Sequence, residues 1–120
     1  NSNAASKTAT PAIFDDKTRA FETRIDGALA ISGDTERHAA LQVIALDAAG
    51  QGVARSAKRA VEKMSYVTEH DDTAARCAKL LAPHDMAGAI EIAQLIRVNS
   101  LRDRTLGTIT KPAATPAIER

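Results

Sequence analysis

Tryptophan is absent from this chain, tyrosine occurs once and phenylalanine twice. A core with only Phe14, Phe21 and Tyr66 as rings must be closed by helices approaching over small side chains, and alanine contributes little buried area per residue. Cysteine is nearly absent too. Cys77 stands alone, so no internal disulfide forms and no redox compartment follows. No apolar run approaches the roughly 20 residues of a membrane-spanning helix, so no membrane insertion is expected. A surplus of one charge is also missing. Sixteen basic residues stand against fifteen acidic ones, a formal +1, which removes the electrostatic case for nucleic acid or an anionic membrane.

What remains is alanine and helical period. Apolar residues make up 44% of 120, enough for one domain with a modest core. Six helices are expected: 16–31, 35–49, 53–65, 71–82, 86–97 and 101–109. In the first, Phe21, Ile25, Ala28, Leu29 and Ile31 recur mostly at three- and four-residue steps, as one buried face requires. The second carries Leu41, Ile44, Ala45 and Ala48, the third Ala57, Ala60, Val61 and Met64. Ala74, Cys77, Ala78 and Leu81 form the stripe of the fourth, and Ala89 to Ile96 the strongest apolar run. Asp15, Asp34, Asp85 and the acids at His70-Asp71-Asp72 read as helix caps, Ser100 with Asp103 as a capping box, and Pro83 as a stop.

Residues 1–13 read as a remnant of a cleaved expression tag (Asn1-Ser2-Asn3-Ala4) and a flexible lead-in containing Pro11. The helical domain spans 14–109, and 110–120, with Pro112 and Pro116, reads as a flexible tail. Thr-Pro-Ala-Ile occurs at both 10–13 and 115–118 without a physical reason for the echo. Native sequence would then begin mid-protein, after a removed signal segment or a trimmed start, which leaves a cytoplasmic and an exported setting both open.

Residue types that do chemistry are present, but not in working arrangements. His38 lies beside Arg37 without a serine or cysteine at catalytic spacing and reads as an exposed polar position. His84-Asp85 and His70-Asp71-Asp72 sit where helices need caps rather than metal ligands. Gly50-Gln51-Gly52 has no strand before it and makes no phosphate loop. Cys77, on an apolar face, reads as a buried structural thiol. Arg55, Lys58, Arg59, Glu62 and Lys63 read as a solvated face of the third helix. No catalytic, metal or cofactor residue is assigned, and a non-enzyme is expected.

The apolar pattern repeats. Shifted by 32, Ala57, Ala60 and Met64 fall on Ala89, Ile92 and Ile96; shifted by 33, Leu41, Ile44 and Ala45 fall on Ala74, Cys77 and Ala78. A fixed period of this size is the signature of stacked helix pairs. Leu41-x-x-Ile44-Ala45-x-x-Ala48 followed by Ala57-x-x-x-Val61, then Ala74-x-x-Cys77-Ala78-x-x-Leu81 followed by Ala89-x-x-x-Ala93, resembles the tetratricopeptide repeat over about residues 34–109. The period and the missing tryptophan mark the repeats as divergent. Ala89-Ile90-Glu91-Ile92-Ala93 and Ser100 to Arg104 also resemble alanine-rich helical repeats of bacterial proteins that usually lack assigned function.

The resemblance implies a short all-α solenoid of antiparallel helix hairpins, used for protein–protein interaction. Its first helices line a concave face that takes a peptide or a partner helix. Carried over by spacing, that face would hold Ala39, Gln42, Leu46 and Ala49, then Asp72, Ala75, Lys79 and Ala82, then Arg104. Gln42, Asp72, Lys79 and Arg104 would contact the ligand's backbone or termini, with Leu46 as an apolar anchor. The alternative is a structural domain that associates with a second copy of itself and has no separate ligand.

Overall fold

A computed structural model describes residues 15–111; the lead-in, Phe14, the Pro112–Arg120 tail and both copies of Thr-Pro-Ala-Ile lie outside the described residues. Among these residues the chain forms six α-helices and no strand: α1 (Asp16–Leu29), α2 (Asp34–Gly50), α3 (Ala54–Glu62), α4 (Val67–Leu81), α5 (Met86–Ala93) and α6 (Asn99–Thr110). None is long and apolar enough to cross a membrane.

Each helix packs against its neighbour in sequence. Beyond that, α2 touches α4 and α4 touches α6, while α1 touches α3 and α3 touches α5. Thus α2, α4 and α6 lie side by side in one layer and α1, α3 and α5 in the other. Among the described residues α1 does not touch α5 or α6, and α2 does not touch α6. The shortest dimension, 19 Å, is that of two helices of about 10 Å each.

The apolar stripes become the core between the layers. Phe21, Ile25, Leu41, Val61, Leu81, Ile92 and Ile96 are buried, with alanines 45, 48, 57, 60, 74, 78, 89 and 93 filling the space between them. Positions a fixed distance apart share this environment: Ala57 and Ala89, Ala60 and Ile92, Met64 and Ile96, and Thr73 and Thr105 are all buried.

Two helices, α1 and α5, are capped by the aspartates the sequence implies. Asp15 Oδ1 accepts from Thr18 N at 2.8 Å and Asp85 Oδ1 from Gly88 N at 2.9 Å. At the end of α2, Gly52 takes φ +79°, the one positive φ among the described residues. That lets Gly52 N and Val53 N reach the carbonyls of Ala49 and Ala48 at 3.0 and 2.8 Å, a Schellman closure that only glycine adopts without strain.

Four boundary readings are corrected. Asp34 does not cap α2; Gly33 holds the cap position, and Asp34 pairs with Arg37 at 2.5 Å. Helix α4 begins at Val67, not at residue 71, so Asp71 is an interior helical residue rather than a cap. Helix α5 stops at Ala93 although its apolar run continues, because Leu95 and Ile96 pack on the core from the following turn. Asn99 and Ser100 belong to α6, whose cap position is Val98, and Ser100 with Asp103 forms no capping box.

Candidate protein-binding surface

Two buried polar side chains position the layer of α2, α4 and α6. His38, read from sequence as exposed, is buried on α2 and stacks on Tyr66 with ring centroids 4.0 Å apart. Its Nε2 accepts from Ser65 N at 2.8 Å and Tyr66 N at 3.3 Å, the two residues leading into α4. A nitrogen that accepts backbone N–H groups carries no proton, so the proton sits on Nδ1, which donates to Asp34 O at 2.9 Å.

Asp71 does the same for α6. Its carboxylate accepts from Arg97 N and Val98 N, each at 3.0 Å, and from His70 Nδ1 at 2.8 Å. Burial by itself would push the carboxyl up, but the two backbone donors and His70 outweigh it and hold Asp71 below the ordinary carboxylate value. A third tie runs across the layer, where Gln42 Nε2 donates to Thr73 Oγ1 at 3.0 Å.

Two cavities open beside α4. The first, about 270 Å³, lies between the N-terminal parts of α2 and α4 and is lined by Thr35, Ala39, Gln42, Tyr66 and Glu69 over His38 and Met64. The second, about 500 Å³, lies at the C-terminal ends of α4 and α6, with Ala82, Pro83, Met86 and Ile109 as apolar walls and Lys79 and Lys111 as cations.

The five binding residues read from the sequence do not share one cavity. Gln42 lines the first and Lys79 the second, whereas Leu46, Asp72 and Arg104 line neither. Leu46 is half-buried against the core, Asp72 is exposed 3.7 Å from Arg76, and Arg104 is exposed. Two further groove positions are corrected: Ala49 and Ala75 are buried in the core. Tyr66, Glu69, Met86 and Lys111 escaped the sequence reading because they sit at helix ends, where transferred repeat spacing carries no information. Tyr66, the one tyrosine, was the available signal.

The opposite layer also carries a groove, about 650 Å³, but ion pairs occupy its walls. Arg59 bridges Glu22 and Asp26 at 2.8 Å each, Lys58 lies 3.4 Å from Glu91, and Ser56 donates to Glu22 at 2.8 Å. The basic residues read as a solvated face therefore also tie α3 to α1 and α5.

Among the described residues no group of three or more His, Cys, Asp or Glu side chains stands close enough to hold a metal ion. Cys77 is buried, and burial pushes its thiol up to about 12. No family model, no curated protein and no solved structure matches this chain.

Proposed function

We propose that the chain is a divergent, tetratricopeptide-like helical repeat module, without catalysis of its own, whose α2, α4 and α6 face binds a peptide or a partner helix. Three observations support the repeat. Buried positions recur at 32 residues. His38 and Asp71, separated by 33, hold the N–H pairs Ser65/Tyr66 and Arg97/Val98, separated by 32. Arg37 and Arg102 each donate to a carbonyl six residues back, on Ile31 and Ile96.

The observation that carries the binding reading is the pair of cavities beside α4. The middle helix of this layer keeps an exposed face, with Glu69, Asp72, Arg76 and Lys79 in solvent, and a recess at either end. The facing layer's groove has its wall charges already paired with one another, Arg59 with Glu22 and Lys58 with Glu91. Peptides selected by display against the intact chain, then titrated into ¹⁵N-labelled protein, test this. Amide shifts on α2, α4 and α6 and weaker binding on Lys79→Glu are expected; shifts confined to α1, α3 and α5 would refute it.

Self-association is the second reading, favoured by Leu80 and Met86, apolar side chains 43% and 40% exposed on either side of the α4–α5 connection. A light-scattering mass of one chain at working concentration disposes of it.

A further inference from the structure

Resting on that reading, we propose that the segment bound along α4 is bipolar, with a lysine or arginine side chain at Glu69 and a carboxylate at Lys79 and Lys111. The two cavities carry complementary gaps. Among the described residues Glu69 has no hydrogen bond or ion pair, and no lysine or arginine lines its cavity. Of the other polar groups there, Gln42 donates one amide hydrogen to Thr73 and keeps its carbonyl oxygen to accept, and both ring nitrogens of His38 are engaged. The Tyr66 ring, 40% exposed, lines the same cavity, and a cationic side chain is attracted to the face of such a ring.

The second cavity has the opposite sign. Lys79 and Lys111 have no ion pair among the described residues, and no carboxylate lines the space between them. Its walls are apolar, which suits a carboxylate borne next to an apolar side chain, as at a peptide's C-terminal residue. The dipole of α4 already favours an acid at Glu69 and a base at Lys79, so those two placements alone are ordinary. Lys111, from the end of a different helix, and the recess at each charge are what the dipole does not explain.

The spacing fixes the ligand. The ten helical steps from Glu69 to Lys79 cover about 15 Å at 1.5 Å per step, which four or five residues of extended chain span at about 3.3 Å each. Between these anchors Asp72 and Arg76 pair with each other and ask for no charge.

Panning a random twelve-residue peptide display library on the intact chain, on Glu69→Lys and on Lys79→Glu tests this. The wild-type chain is expected to enrich sequences with a basic residue four or five positions from an acidic residue or from a free C-terminus. Each reversed charge should weaken such a peptide about two- to fivefold, as exposed ion pairs do, more at low salt than at high. Peptide charge reversal at the matching position should restore binding to Glu69→Lys. Peptides that enrich without this charge pair, yet shift α2, α4 and α6 amides, would overturn the bipolar ligand and leave the binding face standing. No enrichment, together with a scattering mass of two chains, would overturn both in favour of a second copy.

Discussion

Asp71 shows what a single buried side chain does here. Its two oxygens hold the N–H groups that set where α6 begins, and bonds to an ionised acceptor are worth about 1.5–3 kcal/mol each. Asp71→Asn keeps one acceptor but turns an NH₂ toward a backbone donor, so a loss of about 2–3 kcal/mol in urea unfolding at pH 7 is expected. Because the fold lowers the Asp71 carboxyl below its usual 3.8, its stabilisation is present above that value and is lost as pH falls below it. The gap between wild type and Asp71→Asn should therefore close below about pH 4; a gap that persists there undiminished would contradict the assignment. His38, in the equivalent place, should show the Nδ1–H tautomer in long-range ¹H–¹⁵N spectra, since Nε2 faces two donors. Cys77, buried with its thiol pushed up to about 12, should resist Ellman's reagent at pH 8 until the chain is unfolded.

Two glycines separate helix propensity from helix packing at the scale of the element. Gly27, on α1, has no side chain or foreign backbone within 4 Å of an added Cβ, so Gly27→Ala should raise stability by up to about 1 kcal/mol. A Cβ on Gly88 would stand 2.5 Å from Ala54 Cβ and 2.8 Å from Asp85 Oδ2. Gly88→Ala should therefore lower the melting temperature despite its better propensity, because α3 and α5 must part or the Asp85 cap must move. A rise in melting temperature for Gly88→Ala would show that this close approach is not needed.

The same scale shows what the sequence could and could not convey. Stripes such as Leu41, Ile44, Ala45 and Ala48 are buried as their spacing implies, because helical period is a local property. The start of α4 was not legible, since Val67 to His70 begins no apolar stripe and the N–H groups of Ser65 and Tyr66, which lead into it, are held by His38 from 27 and 28 residues away. His70 and Asp71 looked like caps for the same reason: short polar residues at a helix edge carry that signature whether they face outward or, as here, inward. Gln42 and Lys79 do line cavities, but Ala49 and Ala75 are core, because alanine at a helix–helix seam looks the same in sequence as alanine lining a groove.

At the scale of the whole molecule, the helices stack in order in two layers and the ends stay apart. Three packing steps separate α1 from α6, and helices pack about 8–10 Å apart, so the two should stand more than about 20 Å from each other. Spin labels on cysteines introduced at the exposed positions Thr23 and Arg104 measure this directly, with Cys77 buried and silent. Pulsed electron–electron dipolar spectroscopy is expected to give a single distance beyond about 20 Å. Strong dipolar broadening of the continuous-wave spectrum, as from labels one helix spacing of about 10 Å apart, would mean that α1 and α6 close into a bundle and would contradict the arrangement on which the proposed binding face depends.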